Sequence, residues 1–497
     1  MMPDRDNMNP SDMTPAQQGA PYPLVVDLDG TLTPTDTLVE SVIKFVKQSP
    51  LNLLRLPVLL ARGKAGFKDA ICGHARLVVA QLPYRETLLD YLRQEKEKGR
   101  RIYLATAAHK TIADEVAAHL GLFDQVLATE AGRNLKGGIK LDMIRMRVGA
   151  DFVYAGDSTA DVPIWKAARG AILVGVAPGL AAKVRRDTPV EWELASPKPG
   201  LAVWLRALRV HQWLKNLLLF VPLMTAFSFL DFQKLAAAII AFLAFSLAAS
   251  ATYMVNDLWD LESDRGHPRK RLRPFASGAI PIRHGIMVAA VALGIALILA
   301  FAVSKGFLAM LLIYLVVTSA YSWMLKGYVL IDVLVLSLLY ALRILAGSVA
   351  VGISTSSWLL AFSVFIFLSL ALVKRCSELV ALGQSGIAAT RGRDYRVDDL
   401  VVLWPLGLGA ALSAVVVFGL FISAPETQAR YGTPQLLWLA GIGLIYWLGR
   451  LWIKTSRGEM HDDPIIYAIK DRGCLITTCF MVLSTLAAHF LILGSIL

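Results

Sequence analysis

Asp257, Asp260 and Asp264 stand at i, i+3 and i+7 in the stretch YMVNDLWDLESDRGHPRKRLRPFASG, residues 253–278. On a continuing helix this spacing puts the three carboxylates on one face, with Asn256 beside them and Glu262 turned away. The stretch follows an apolar run long enough to cross a bilayer, so the acids would crowd a helix C-terminus, where the backbone already carries partial negative charge. Like charges so placed are unfavourable unless a cation holds them, and a hard divalent ion removes the conflict. A solvated loop that only sets topology would account for Arg269, Lys270, Arg271 and Arg273, but not for carboxylates repeated on one face.

A second set of acids lies near the N-terminus. In YPLVVDLDGTLTPTD, a β-branched apolar run is broken by Asp27 and Asp29, which reads as a buried strand ending in a loop. Two aspartates so placed can divide labour, Asp27 attacking phosphorus and Asp29 serving as acid and base on the leaving group. IYLATAAHK follows as a second strand ending at Thr106, then Lys136 and Lys140 in NLKGGIKLD, then FVYAGDSTAD, a strand ending in Asp157 and Asp161. Strands alternating with helices, with polar groups at strand ends, predict a doubly wound α/β sheet with its site at the carboxyl edge.

These four motifs, in order over residues 22–195, resemble those of the haloacid dehalogenase superfamily of phosphatases. The resemblance implies Asp27 as nucleophile, Asp29 as acid/base, and Thr106 and a lysine on the phosphoryl group. Lys140 is the expected lysine because a helix follows it directly, with Lys136 as the alternative. Mg2+ is expected on Asp27, Asp157 and Asp161, with Asp29 in the same metal set. The Asp-Lys-Thr-Gly-Thr form of ion pumps is absent, which argues against ATP-driven transport. A helical insertion, about residues 37–95, is the expected cap. Its segment SPLNLLRLPVLLARGKAGFKD is apolar and basic together but too interrupted to span a bilayer, and suits a membrane surface.

The rest of the chain must hold the first set of acids. At 497 residues and 56% hydrophobic composition, with mean hydropathy +0.54, much of the protein belongs in lipid. Up to about residue 200 the sequence reads as soluble; beyond it, nine candidate spans centre near residues 221, 245, 294, 315, 340, 366, 411, 443 and 485. The loops around 257–284, 325–328, 374–399 and 454–472 are rich in Lys and Arg and the opposite ones are not, so the net charge of +12 reflects membrane topology, not nucleic-acid binding. The N-terminal domain is expected in the cytoplasm and the chain in the inner membrane, multi-pass; no apolar signal segment opens residues 1–20. The four cysteines are scattered and expected as free thiols. The expected domains are a disordered 1–20, the phosphatase domain 21–195, a linker and surface helix 196–210, and an all-α nine-span membrane domain 211–497.

Nine spans with N-D-x-x-D-x-x-x-D resemble the UbiA superfamily of intramembrane prenyltransferases, in which the aspartates hold Mg2+ against a donor's pyrophosphate. Asp257 and Asp260 then become catalytic, with Asp264 as third metal ligand. Where quinone-making members carry a second aspartate-rich motif, this chain has only Asp332, flanked by Lys326 and Arg343. The tail from His267 to Pro274, the Tyr321–Lys326 segment and VKRCSEL at 373–379 are instead similar to the decaprenyl-phosphate phosphoribosyltransferases. That implies phosphoribosyl pyrophosphate as donor and a polyprenyl phosphate as acceptor. Phosphate-rich substrates need cations and polar partners, and those expected are Lys215, Asn256, Arg265, Lys270, Arg271, Arg273, Tyr321, Lys326, Asp332, Arg343, Lys374 and Arg375. His267 is expected as a loop hydrogen-bonder. Membrane lipids are the other expected partner, nucleic acid is not, and a homo-oligomer is compatible with this reading. Two alternatives stand beside it: aromatic prenylation in quinone synthesis, and a phosphatase on a lipid-binding membrane anchor.

Overall fold

A computed structural model describes residues 21–130, 134–195, 198–386, 393–460 and 463–492. The N-terminal twenty residues, expected to be disordered, and Ser196 and Pro197 of the expected linker lie outside the described residues. The chain forms two compact units, one of residues up to Leu208 together with Tyr253–Val288, the other of Arg209–Thr252 with Ala289–Leu497.

The first unit is built on six parallel strands, β1 (Leu24–Val26), β2 (Ile102–His109), β3 (Gln125–Thr129), β4 (Val153–Gly156), β5 (Gly170–Val174) and β6 (Val190–Leu194), in the order β3-β2-β1-β4-β5-β6. β1 is only three residues long, yet Val25 is flanked by Tyr103 on one side and Tyr154 on the other, and all of β1, β4 and β5 is buried. This is why those segments read as unbroken apolar runs: a parallel sheet is covered on both faces. The strand order reverses between β1 and β4, so the residues leaving their carboxyl ends flank a crevice.

Helices α1 (Thr37–Gln48), α2 (Asn52–Leu60) and α3 (Gly63–His74) form the insertion and enclose a small core of their own, Phe45, Phe67, Ile71 and Ala75. α4 (Glu86–Glu97) packs Leu88, Leu89 and Leu92 into the same core as β1 and β2, so the part of the insertion with an independent core ends before it. α5 (Lys110–Leu120), α6 (Gly138–Arg147), α7 (Val162–Ala167) and α8 (Pro178–Asp187) complete the layers, and α9 (Leu201–Ala207) follows.

The second unit is helical. After Arg209 come a 3₁₀ helix, Val210–Phe220, and a short α10 (Val221–Thr225). Then follow α11 (Phe232–Trp259), whose end belongs to the first unit, as do α12 (Leu261–Arg265) and the start of α13 (Ile282–Val303). α14 (Lys305–Trp323), α15 (Ile331–Val351), α16 (Ser357–Gln384), α17 (Leu400–Ser423), α18 (Pro425–Arg430), α19 (Leu437–Ser456), α20 (Pro464–Lys470) and α21 (Arg472–Phe490) finish the chain. Among the described residues eight helices are long and apolar enough to cross a membrane, and eight of the nine expected centres fall in them.

The ninth centre, at residue 221, falls in the 210–225 segment, which reaches spanning length in neither helix. Pro222 lacks an N–H and sits in the first turn of α10, where a helix restarts. The 3₁₀ form rises about 2.0 Å per residue against about 1.5 Å for α, so the two pieces together come to about 30 Å, the thickness of a bilayer's hydrocarbon core. The segment packs tightly against α15: a Cβ on Gly347 would lie 2.2 Å from the carbonyl oxygen of Leu219.

Candidate functional site

At the carboxyl edge of the sheet, β1 delivers Asp27 and β4 delivers Asp157. Asp27 Oδ1 accepts from the Leu28 amide at 2.8 Å and its Oδ2 lies 2.9 Å from Lys140 Nζ. Lys140, at the start of α6 and 2% exposed, also donates to Tyr154 Oη at 2.8 Å, and that hydroxyl donates to Asp161 Oδ1 at 2.8 Å. Asp161 Oδ2 accepts from the Asp157 and Ser158 amides and the Ser158 hydroxyl at 3.1–3.3 Å, which locks its orientation. Thr106 is fully buried and its Oγ1 accepts from the Ala108 amide at 3.0 Å. Asp29 Oδ1 accepts from the Thr37 amide at 2.8 Å, tying the acid/base candidate to the first turn of α1. Gly30, at φ +83°, is needed here, because a Cβ would lie 2.2 Å from Asp157 Oδ2.

Carboxylate oxygens of Asp27, Asp157 and Asp161 lie within 4.8 Å of one another. Burial, and then Asp161, push the Asp27 carboxyl up despite the Lys140 charge beside it. Burial, then Asp27 and Asp161, push Asp157 up to about 7, and burial with Asp36 does the same to Asp29. Lys140 is held protonated: burial opposes its charge, and Asp27 and Asp161 outweigh that. The group therefore has more negative charge than one lysine balances, and all its donors are oxygens, which is the donor set a hard divalent cation takes. Asp29, near 7, can both give and take a proton at neutral pH. Lys136 lies in the loop before α6. Tyr154, which links Lys140 to Asp161, was missed in the sequence because a tyrosine inside a buried strand reads as core.

The aspartate motif is also in the first unit. α11 ends at Trp259, and Asp260 leaves helical geometry at φ −99°, ψ 12° before α12 begins. Asp257 and Asp264, 4% and 2% exposed, nevertheless converge: Arg273 Nη1 lies 3.1 Å from one and 2.6 Å from the other. Asp260 is half-exposed, with Lys47 Nζ 3.5 Å away. One guanidinium already bridges the two buried carboxylates, and among the described residues the three aspartates do not gather into a single group as Asp27, Asp157 and Asp161 do. Lys270 and Arg271 are exposed, and His267 Nδ1 accepts from the amides of Arg269 and Lys270 as a loop hydrogen-bonder. Asn256 sits one residue before Asp257, and its carbonyl accepts from the Asp260 amide.

The second unit holds the other expected cations, several of them in buried pairs. Asp332 and Arg375, both without exposed surface, pair with each other; Tyr321 Oη donates to Asp332 at 2.9 Å, and Arg375 also pairs with Glu378. Arg393 Nη1 reaches Glu378 at 3.1 Å, and the Arg375 guanidinium lies over the Tyr395 ring at 5.0 Å. Arg343 donates to Asn216 Oδ1 at 3.0 Å and to the Leu339 carbonyl, with Tyr314 over it. Asp332 and Arg343 thus spend their polar groups on neighbours within the bundle, whereas Arg375, paired through both Nη atoms, keeps a buried Nε with no hydrogen-bond partner. Lys215 and Lys374 flank Asp463, at 2.7 and 3.7 Å, and Lys326 is half-buried in the 3₁₀ turn Leu325–Gly327. Glu378 pairs with Arg375 three positions before it, as a salt-bridged helix end would, whereas Arg393 and Asp463 were missed because their charges read as loop residues and only the fold supplies their partners.

The buried ion pair gives a direct prediction. Asp332→Ala leaves Arg375 without its fully buried partner and should cost about 3–5 kcal/mol, read as a lowered thermal midpoint in detergent. Adding Arg375→Met should recover part of the loss, since removing both charges costs less than removing one.

A model of the UbiA prenyltransferase family matches residues 217–469, and one of haloacid dehalogenase-like hydrolases matches residues 24–166. Uncharacterized protein y4nM of Sinorhizobium fredii is 40% identical over 471 residues, covering 92% of this chain and 90% of its own. Nodulation protein NoeC of Azorhizobium caulinodans is 33% identical over 58% of this chain and 92% of its own. Decaprenyl-phosphate phosphoribosyltransferase of Mycolicibacterium smegmatis is 33% identical over 56% of this chain and 89% of its own. Among solved structures, a UbiA homolog from Archaeoglobus fulgidus bound to GPP and Mg2+ is 18% identical, covers 57% of this chain and 99% of that one, and has a TM-score of 0.44. With a family model spanning just over half its length and relatives at this identity, the chain is an integral membrane protein that belongs to the UbiA prenyltransferase family and carries a haloacid dehalogenase-like hydrolase domain ahead of it.

Proposed function

We infer that the membrane domain transfers a 5-phosphoribosyl group from phosphoribosyl pyrophosphate to a polyprenyl phosphate, and that the hydrolase domain is a phosphatase acting on the lipid-linked product. The observation that carries the first part is the state of Asp332. It is the sole carboxylate of the segment 321–343, and it is fully buried against Arg375 and Tyr321. A second acidic metal motif therefore has no ligand to offer there, while lysines and arginines are plentiful. That balance suits an anionic acceptor better than an aromatic one, and it agrees with relatives named decaprenyl-phosphate phosphoribosyltransferase.

In this reading Asp257, Asp260 and Asp264 would hold Mg2+, which would supply charge to offset the departing pyrophosphate. Arg273 keeps Asp257 and Asp264 converged and Lys270 and Arg271 take phosphate charge; Lys215, Lys326 and Lys374 are the phosphate-binding candidates of the second unit. The bond from the anomeric carbon to pyrophosphate breaks, its electron pair leaving with pyrophosphate, as an oxygen of the acceptor phosphate bonds to that carbon. The product keeps a 5-phosphate. In the hydrolase domain Asp27 attacks that phosphorus, Lys140 and Thr106 hold the phosphoryl oxygens, and Asp29 protonates the departing hydroxyl, then takes a proton from the water that frees Asp27. Asp27, Asp157 and Asp161 would hold Mg2+, which would supply positive charge against that gathered there. The loop-charge asymmetry supports an inner-membrane location with this domain in the cytoplasm.

A lipid-borne substrate also suits α2. Leu51, Leu53, Leu54, Val58 and Leu60 are each more than half exposed, with Arg55, Arg62 and Lys64 exposed around them. Such a helix lies well in a headgroup layer of anionic lipid. Leu53→Glu with Leu54→Glu should slow phosphate release from the lipid product about tenfold, because two buried leucines contribute more than a single tenfold factor of about 1.4 kcal/mol, and should leave p-nitrophenyl phosphate hydrolysis unchanged.

The test of the reading is direct. Purified protein is incubated with Mg2+ and each pairing of phosphoribosyl or prenyl pyrophosphate with polyprenyl phosphate or an aromatic acid, and the lipid product is weighed by mass spectrometry. A prenylated aromatic product would replace this reading with its alternative.

A further inference from the structure

The helix end that carries the aspartate motif does not hold its own shape. Asp257 and Asp264 lie on opposite sides of the break at Asp260, so no continuous helix sets their relative placement. Arg273 bridges the two carboxylates from the following loop, and within the same unit helix α1 of the hydrolase domain also meets this segment.

Asp36, the N-cap of α1, is followed by Glu40, Lys44 and Lys47 at spacings of four, four and three, which is one face of a helix. Asp36 pairs with Arg283 at the start of α13. Lys44 Nζ lies 2.9 Å from Glu262, and Lys47 Nζ donates to the Trp259 carbonyl at 2.8 Å beside Asp260. Those three contacts are partly solvated, and singly they would count for little. Glu40 differs in kind. Glu40 and Arg265 are each 7% exposed at the side chain, and the two arginine Nη atoms take both carboxylate oxygens at 2.7 and 2.8 Å. Arg265 Nε donates to the Ala276 carbonyl at 3.0 Å. A buried bidentate pair fixes geometry, because neither charge can be left without the other. One residue after Asp264, Arg265 therefore ties α1, α12 and the loop leading to α13 together.

We propose that α1 is a positioning element of the transferase: Glu40 through Arg265, and Lys47 through the Trp259 carbonyl and Asp260, set Asp257 and Asp264 relative to each other across the break. Lipid-linked transfer then depends on the first helix of the hydrolase domain but not on that domain's nucleophile. This rests on the aspartate-motif reading above, and two kinds of measurement keep the failures apart.

In nanodiscs, the full chain is assayed with Mg2+, phosphoribosyl pyrophosphate and a polyprenyl phosphate, and separately with p-nitrophenyl phosphate. Lys47→Met, a change at a half-exposed side chain, should lower kcat for transfer about tenfold and raise the Mg2+ concentration needed for half-maximal rate, as a small misplacement of reacting groups does. Its p-nitrophenyl phosphate hydrolysis should stay at the wild-type rate. Glu40→Gln should lower transfer on the order of 10²-fold, and combining Glu40→Arg with Arg265→Glu should regain much of what either change alone loses. Hydrogen exchange over residues 253–288 reads the same contact with no substrate present: it should quicken in Glu40→Gln and not in Asp27→Asn. Wild-type transfer by both Lys47→Met and Glu40→Gln, or exchange that Glu40→Gln leaves unchanged, overturns the proposal. If the wild-type protein transfers from neither donor, the substrate reading fails and the exchange result decides the positioning role by itself.

Discussion

Asp27→Asn is expected to stop phosphate release from the lipid-linked product, by about 10⁴-fold or more as for loss of an enzymic nucleophile, while transfer continues at the wild-type rate. The amide cannot accept a phosphoryl group, and it also removes the partner of Lys140 Nζ, which lies 2.9 Å from Asp27. In a coupled assay the variant should accumulate polyprenyl-phosphoryl ribose 5-phosphate, whereas the wild type should yield the dephosphorylated lipid and inorganic phosphate. The two masses differ by one phosphate group and are separated by mass spectrometry. Identical lipid products from the two proteins would mean that the domain serves another phosphoester, and the tie between the halves of the chain would then have to be positional only.

Asp257→Asn should have the converse effect, with transfer lost by about 10³-fold or more, since removing a charge clamp on a phosphate leaving group commonly costs at least 10²–10³, and p-nitrophenyl phosphate hydrolysis retained. Asp257 is 4% exposed and shares Arg273 with Asp264. Replacing one carboxylate by an amide keeps the shape but removes a full negative charge from the place where a divalent cation is to be held. The variant should therefore also require more Mg2+ for whatever transfer remains. Normal lipid product at ordinary Mg2+ would sink the metal role of the aspartate motif, and with it the assignment of Asp260 and Asp264.

Much of this was present in the order of residues. An apolar β-branched run ending in Asp27 and Asp29, a second ending at Thr106 and a third ending at Asp157 are enough to imply strands whose ends meet at one sheet edge, because burial of a parallel sheet on both faces leaves a local apolar signature. The long apolar helices are equally plain, since each must match a bilayer over about twenty residues. The 210–225 segment was harder: its composition reads as one more span, while it takes 3₁₀ geometry and packs closely against Gly347, neither of which local propensity announces.

What only the tertiary structure decided is how the charges are partnered. The residue types around Asp332, Arg343 and Arg375 suggested substrate contacts, yet Arg375 and Asp332 are 43 positions apart and consume each other's charge in the bundle interior. Lys140 was the expected lysine with Lys136 as the alternative, and it is the start of α6 that brings Lys140 Nζ against Asp27. Glu40 and Arg265 are 225 positions apart; Arg265 was expected among the phosphate-binding cations, and in the structure its guanidinium takes the Glu40 carboxylate instead. Periodicity records which face of a helix or strand is buried, because that depends on neighbours three or four residues away. An ion pair depends on which two elements the whole chain brings together, and a long-range meeting of that kind leaves no local pattern to read.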